Sequence, residues 1–340
     1  MDAGEINQWI GGKLRIAGVK KFGVRSSEFG VRSNEVKSGD KGRRRIAGSE
    51  YVTILLFFFL FVIGDKALTA TFTDEVGRKL EAQGSPQRIV SVAPSVTETL
   101  FALGLGDRLV GVSSYCQFPP EALKKEKVGG YINPSLEKIV ALRPDLVIGI
   151  AEGDLKTFVD KLAKLKIPVY ITNPKNVSEV ITSMQHIGEV TYSVQSAQRV
   201  TQAMKERIQA IRTKVQGRPH PRVLHVLNFE PLISAGKGTF VDDLIRLGGG
   251  RNIAETAQGK YPRLSLEEVL AVYPEVIILA SMSSDDPLTE QRRWWERWKT
   301  ITAVRQGRIH VLNSDLIHRP SPRIVDGLEQ VARAIHPEAF

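Results

Sequence analysis

Two matching segments of the chain carry a tyrosine and, six residues later, a glutamate: Tyr131 with Glu137, and Tyr261 with Glu267. Each glutamate is predicted to begin a short helix, where its charge suits the helix dipole, and each tyrosine lies in the loop before that helix. The helix dipole accounts for a repeated glutamate but gives no reason for a repeated tyrosine. The pattern therefore predicts two rings that face a cleft between two similar units, and a symmetric pair of exposed acidic residues.

These segments belong to a longer internal duplication. Residues 134–148 match residues 264–278, and residues 100–106 match residues 244–250. The apolar positions of these matches would recur in any unit of helix, turn and strand, so they carry no functional weight by themselves. What the duplication does predict is two α/β units of the same construction.

The other residue types that perform chemistry form no constellation. The six histidines show no HxH or HxxxH spacing, which argues against a zinc or manganese site. Cys116 is the one cysteine, so it can form no intrachain disulfide, and no nucleophile motif surrounds it. The glycine-rich segments 104–106 and 248–250 follow predicted helices instead of opening them, so they do not predict a nucleotide site. We therefore expect no catalytic residues, no metal and no cofactor.

Strand and helix patterns alternate along residues 88–172 and again along residues 222–335, where one helix is predicted over 290–304. Alternation of this kind predicts α/β lobes with mostly parallel sheets. Between them, residues 193–216 have one apolar face and would form a helix about 35 Å long. The predicted fold class is α/β, with two Rossmann-like lobes joined by a single long α-helix and a ligand cleft between the lobes. The predicted boundaries are 1–70 for a basic extension and signal peptide, 71–175 for the N-terminal lobe, 176–217 for the linking helices and 218–340 for the C-terminal lobe.

The first 70 residues differ in composition from the rest. The net charge of the chain is +10, and this segment holds 12 Lys/Arg against 7 Asp/Glu. Arg43, Arg44 and Arg45 precede the apolar run 52–63 and small residues ending at Ala70, the order of a secretory signal. Export to the periplasm is the prediction, and an uncleaved membrane anchor is the alternative. The remainder is only mildly basic and shows no basic patch, so we expect no nucleic-acid partner.

From residue 88 to its end the chain resembles the solute-binding proteins whose two lobes are joined by a long helix. The motifs that carry the resemblance lie at residues 88–99, 111–122, 136–148, 248–253 and 314–324. That group serves ABC importers of cobalamin, haem and iron-siderophores, and the motifs are most similar to its cobalamin-binding members. The resemblance implies a monomer that captures a bulky small molecule, here cobalamin or another corrinoid as transported ligand, and delivers it to a permease dimer with its ATPase subunits.

The resemblance also assigns roles to individual residues. It implies that Glu137 and Glu267 dock on the two permease subunits. The implied ligand-binding residues are Tyr115, Tyr131, Ile150, Phe229, Tyr261, Asp315 and Arg319. Tyr131, Tyr261 and Ile150 stand where the cobalamin binder has other aromatic residues, so an iron-siderophore or haem receptor remains the alternative. A two-domain α/β transferase is the alternative from another class, and it would require a convergent acid/base or nucleotide site.

Overall fold

The computed structural model describes residues 69–152, 155–280 and 288–340. The predicted extension and signal peptide, residues 1–70, lie outside this range except for residues 69 and 70. We refer to residues 69–175 as the N lobe and to residues 218–340 as the C lobe. Residues 69–340 form one compact unit. Among the described residues, no helix is both long and apolar enough to cross a membrane.

The N lobe is built around a five-stranded parallel sheet with the order β5-β4-β3-β6-β7, and an antiparallel hairpin, β1-β2, precedes it. The strands are β1 (Thr69–Thr73), β2 (Lys79–Gln83), β3 (Ile89–Ser91), β4 (Leu109–Val112), β5 (Glu126–Lys127), β6 (Leu146–Ile150) and β7 (Val169–Thr172). The helices are α1 (Pro94–Ala102), α2 (Leu136–Ala141) and α3 (Leu155–Lys164). The central strands β3, β6 and β7 are apolar and almost wholly buried because helices cover both faces of the sheet.

Two consecutive helices connect the lobes, α4 (Val177–Val190) and α5 (Val194–Val215). At about 1.5 Å per residue α5 is roughly 33 Å long, close to the predicted length. Met204, Ile211 and Val215 on its apolar face join the core of the C lobe, whereas Ala197 joins the core of the N lobe. The linking helices are therefore shared between both cores and tie the lobes together.

The C lobe repeats the design with a four-stranded parallel sheet in the order β11-β10-β8-β9. Its strands are β8 (Arg222–Val226), β9 (Arg251–Asn252), β10 (Val276–Leu279) and β11 (Ile309–Val311). Its helices are α6 (Phe240–Leu247), α7 (Leu266–Val272), α8 (Leu288–Trp295), α9 (Thr302–Arg305), α10 (Ser314–Ile317) and α11 (Ile324–Ile335). This is the predicted α/β fold with parallel sheets.

Two element predictions were wrong. The single helix predicted over 290–304 is two helices, α8 and α9, because residues 296–301 form turns that bury Ile301 in the core. The hairpin β1-β2 was not predicted, although Leu80 and Ala82 alternate with exposed residues as in a half-buried strand. The exact lobe boundaries stay predictions.

Candidate functional site

The predicted ligand-binding residues follow the carboxyl ends of parallel strands in both lobes. In the N lobe, Ile150 is the last residue of β6, and Tyr115 and Tyr131 lie in the segments after β4 and β5. In the C lobe, Phe229 comes three residues after β8, and Arg319 lies beyond β11. Because ligands of open α/β sheets bind outside the carboxyl ends of their strands, this placement suits a binding cleft.

Tyr115 and Tyr131 form an edge-to-face pair, with ring centroids 5.7 Å apart and planes at 76°. Tyr115 is 56% exposed, whereas Tyr131 is half-buried. Gly130 leaves room for the Asn133 side chain, which would lie 2.6 Å from a Cβ there, whereas the Tyr115 ring would be in ordinary contact at 3.5 Å. An edge-to-face pair on one lobe offers a large apolar surface held in a fixed orientation.

The charge of Glu152 affects one tyrosine in each lobe, and this residue was not predicted from the sequence. Partial burial raises the pKa of Tyr131, and the negative charge of Glu152 raises it further. The same two causes raise the pKa of Tyr261 in the C lobe, which is 61% exposed. Partial burial also raises the pKa of Glu152, against the opposing effect of Lys175. The charge of Glu152 thus raises the pKa of one tyrosine in each lobe. Its position two residues after Ile150, just past the end of a strand, was the available signal.

Asp315 and Arg319 belong to a charged cluster that crosses between the lobes. Arg319 Nη2 lies 2.7 Å from Asp315 Oδ1. Its other terminal nitrogen, Nη1, is buried without a hydrogen-bond partner and lies 3.6 Å from Oε1 of Glu98 on α1. Arg323 donates two hydrogen bonds to Glu98, from Nε to Oε2 at 2.8 Å and from Nη2 to Oε1 at 2.7 Å.

Phe118 completes the cluster from the N lobe. The Arg323 guanidinium carbon lies 3.9 Å from the centroid of the Phe118 ring, within the range of a cation–π contact. Burial lowers the pKa of Arg323, but hydrogen bonds and charge from Glu98 outweigh it, so the pKa is raised overall. Sequence reasoning named neither Glu98 nor Arg323. A glutamate between the apolar positions Val96 and Leu100 of α1 was the available signal.

Cys116 lies beneath this site. It is 1% exposed, and its Sγ is 3.1 Å from Thr97 Oγ1. Burial raises the pKa of the thiol, against weaker opposing effects of Thr97, Lys127, Ser113 and Arg319. A buried thiol with a raised pKa is a poor nucleophile, which agrees with a structural role.

Phe229 packs within the C lobe against Trp294, with ring centroids 4.9 Å apart. Trp295 is fully buried, and Trp294 and Trp298 pack against the same core cluster. Among the predicted ligand-binding residues, Phe229 therefore packs against an aromatic side chain of its own lobe.

Glu137 and Glu267 occupy equivalent, exposed places at the second positions of α2 and α7. The helix-capping contacts belong to their neighbours. In α2 the Ser135 side chain accepts from the Lys138 backbone. In α7 Ser265 and Glu268 form a full capping box. Neither Glu137 nor Glu267 is therefore needed to cap its helix.

His225 and His318 are buried together in the C lobe, with their Nε2 atoms 3.2 Å apart. Burial, and the neighbouring imidazole, hold the pKa of His225 well below its usual range. Burial lowers the pKa of His318 to about 4. Among residues 69–152, 155–280 and 288–340, no group of three or more His, Cys, Asp or Glu side chains is arranged to hold a metal ion.

A groove of about 820 Å³ lies away from the predicted site, along α4, α5 and α6. Its cations, including Lys205, Arg212 and Lys237, are exposed. None of the predicted ligand-binding residues lines it. We interpret it as a solvated face on the linker side of the molecule.

The chain belongs to the family described as periplasmic binding protein, which its residues 89–316 match. The vitamin B12-binding protein of Vibrio cholerae serotype O1 is 31% identical over 246 residues, which cover 72% of this chain and 87% of that protein. The vitamin B12-binding protein of Salmonella paratyphi A is 31% identical over 248 residues, covering 73% and 90%. The family resemblance inferred from the motifs is therefore confirmed.

Solved structures agree with this assignment. The periplasmic vitamin B12 binding protein BtuF of Vibrio cholerae aligns with a TM-score of 0.66 and 30% identity, over 75% of this chain and 98% of that chain. The periplasmic heme-binding protein RhuT of Roseiflexus sp. RS-1 aligns with a TM-score of 0.66 and 27% identity, over 76% and 100%. Both predicted ligand classes, corrinoid and haem, thus occur among proteins of similar fold.

Proposed function

We propose that this protein is the substrate-binding component of an ABC importer, and that it captures cobalamin or a related corrinoid in the periplasm. The observation that carries the proposal is the 31% identity with a vitamin B12-binding protein over 87% of that protein, and the paired rings of Tyr115 and Tyr131 support it. A corrinoid has a broad apolar face with polar groups at its edge. Aromatic rings with a few convergent polar groups are the chemistry that binds such a ligand.

The polar groups proposed to meet the edge of the ligand are Asp315 and Arg319, with Glu152 added from the structure. The Arg319 side chain is 24% exposed, and its exposed part is proposed to donate to a carbonyl oxygen of the ligand. Ile150 and Phe229 are proposed to supply apolar surface. We propose neither a catalytic residue nor a cofactor for the cleft, and the bound molecule is the transported ligand.

A haem or iron-siderophore is the second candidate. Three phenols, those of Tyr115, Tyr131 and Tyr261, stand at the cleft, and phenol oxygens are suitable ligands for ferric iron. An absorbance titration of the purified mature protein with cyanocobalamin, haemin and a ferric siderophore separates the candidates. We expect saturable spectral change with cyanocobalamin at one equivalent. Saturation by haemin or siderophore alone would instead support the second candidate.

Glu137 and Glu267 are proposed to dock the protein on a permease dimer. An importer with two related membrane subunits offers two equivalent basic sites, and a monomer with two matched carboxylates fits that symmetry. Exposed charges of this kind mainly set orientation and encounter rate.

Export by a cleaved signal peptide is proposed, with the mature chain beginning near Thr71. Cleavage there would keep the pairs Thr71 with Glu81, Phe72 with Leu80 and Thr73 with Lys79 in the hairpin β1-β2. N-terminal sequencing of the periplasmic fraction tests this. An intact N-terminus in the membrane fraction would instead support the anchor.

A further inference from the structure

Glu98 is a buried carboxylate with cationic partners from the opposite lobe. Its side chain is 1% exposed and comes from α1 of the N lobe. Its hydrogen-bonding partner is Arg323, whose side chain is 12% exposed, and Arg319 approaches the same oxygen at 3.6 Å. A buried charge is stable in a protein when it is paired. Because Glu98 and its partners belong to different lobes, the pair exists only while the lobes keep this separation.

The geometry of the pair restricts movement in more than one direction. Arg323 uses Nε and Nη2 to contact both oxygens of Glu98, which is the two-pronged arrangement that fixes orientation as well as distance. Phe118 covers the face of the same guanidinium. A sliding or opening movement of either lobe would break both hydrogen bonds and leave Glu98 buried without its partner.

The same carboxylate bears on the ligand site through Arg319. That residue lies between Asp315, which binds its Nη2, and Glu98, which faces its Nη1. Its charge opposes the upward effect of burial on the pKa of Tyr131. Because acidic residues hold it on both sides, the Arg319 guanidinium has a fixed orientation.

We propose that Glu98 is a positioning residue: from the N lobe it holds Arg323 to fix the separation of the lobes, and it orients Arg319 toward an oxygen acceptor on the ligand. The part that concerns the ligand rests on the proposed function. The part that concerns the lobes does not, and it is testable without ligand.

The ligand-free test measures the distance between spin labels on the two lobes by pulsed electron resonance. The labels are placed at the exposed positions Lys164→Cys and Gln306→Cys, and the buried Cys116 is checked for labelling in the parent chain. Glu98→Gln is expected to give a longer mean distance and a broader distribution than the parent. Glu81→Gln, an exposed carboxylate on β2, is the matched control and is expected to give the parent distribution.

A folded Glu98→Gln protein with the parent distribution would overturn the lobe-fixing role. If this variant does not fold, the double variant Glu98→Gln/Arg323→Gln, which leaves no buried charge unpaired, carries the same measurement. The parent distribution in that double variant would also overturn the role.

The second arm uses cyanocobalamin affinity in a double-mutant cycle of Glu98→Gln with Arg319→Gln. Each single change is expected to weaken binding at least about tenfold, and the double variant is expected to be no more than about threefold weaker than Arg319→Gln alone. Glu98→Asp is expected to recover part of the affinity. Additive losses would show that Glu98 does not act through Arg319. If the parent protein does not bind cyanocobalamin, the proposed ligand is wrong, and the spin-label distances still decide the lobe-fixing role.

Discussion

Arg88 in the N lobe and Arg222 in the C lobe make the same contacts at the first central strand of their sheets. Arg88 donates from Nε and Nη2 to the carbonyl oxygen of Leu142, at 3.1 and 2.7 Å, and Arg222 donates from Nε to that of Val272 at 2.9 Å. In both lobes an acidic residue after a proline then accepts from the backbone of that arginine, at 2.9 Å from Asp145 and 2.9 Å from Glu275.

The frames of the two lobes also share a less common backbone feature. Arg143 and Tyr273, at equivalent places after α2 and α7, have positive φ angles of 47° and 46°. The carbonyl oxygens at these helix ends are the ones that the strand arginines contact. The duplicated frame thus uses an arginine side chain to satisfy the last carbonyl groups of a helix.

The lobes differ where their strands end at the cleft. The N lobe supplies the paired rings of Tyr115 and Tyr131 and the buried acid Glu98, whereas the C lobe supplies the single exposed ring of Tyr261 and the arginines. The duplicated lobes have thus retained the same frame, whereas their loops at the cleft have diverged. The N lobe contributes the buried acid and the C lobe the arginine that pairs with it, so the two sides of the cleft carry opposite charges.

The largest effect is expected at the lobe tips, where the lobes are most alike. The double variant Glu137→Arg/Glu267→Arg is expected to bind ligand as the parent does and to abolish ligand uptake in cells or vesicles, because both docking contacts become repulsive. Glu268→Gln, the capping glutamate next to Glu267, is the matched control and should retain uptake. Normal uptake by the double variant would contradict docking, and loss of ligand binding would place both residues in the cleft or the fold.

A smaller effect is expected in the cleft, where the lobes differ. Tyr131→Ala and Tyr261→Ala should each weaken cyanocobalamin binding roughly tenfold or more, since burying an aromatic ring against a ligand contributes on the order of 2 kcal/mol. Equilibrium titration by absorbance measures both. Tyr131→Phe and Tyr261→Phe are the controls, and they should bind nearly as the parent if the rings act by apolar contact. Unchanged affinity in both alanine variants would move the site elsewhere.

The repeated frame was predictable from sequence because its signals are local. Periodicity located the central strands and most helices but missed the strands β1, β2, β5 and β9 and the short helix α10. The match of residues 134–148 with 264–278 revealed the duplication. The helix predicted over 290–304 failed because apolar spacing alone did not reveal the turns that bury Ile301. Helical periodicity persists through a break when both pieces pack on the same core.

The cleft was only partly predictable because its contacts join residues far apart in the chain. Glu98 and Arg323 are separated by 225 positions, and no local pattern indicates that they meet. Glu152 was overlooked for the same reason, since its charge affects Tyr131 and Tyr261, which belong to different lobes. The tyrosines were predicted from the sequence because the duplication places them at matching positions.

A difference in acid sensitivity between the lobes is expected from the pair His225 and His318 of the C lobe. The pKa of His318 is about 4 in the folded protein, below the usual 6.5, so the unfolded chain binds more protons between these values. This contribution to stability is complete above pH 6.5 and falls as the pH falls toward 4, by on the order of 3 kcal/mol.

Urea unfolding of the parent and of His318→Gln at several pH values isolates this effect. The difference between the two unfolding free energies should shrink steadily between pH 6.5 and pH 4, because only the parent loses the contribution. A constant difference between parent and His318→Gln would contradict the neutral buried pair.

The smallest effect is expected in the duplicated frame, and there the lobes should respond alike. Arg88→Ala and Arg222→Ala each remove hydrogen bonds from a charged donor to carbonyl oxygens at a helix end, which contribute about 1 to 2 kcal/mol at a partly exposed site. Arg222 also lies 3.4 Å from Glu275, but the two side chains are 44% and 32% exposed, so that ion pair adds little. Urea unfolding should give losses equal within about 0.5 kcal/mol, and nearly additive ones in the double variant because the sites do not touch.

Arg88→Lys and Arg222→Lys keep the charge but not the fork of donors, so they should recover only a small part of the stability. A loss in one lobe several times that in the other would mean that the matching contacts no longer serve the same purpose, and that the frames have diverged as the loops have.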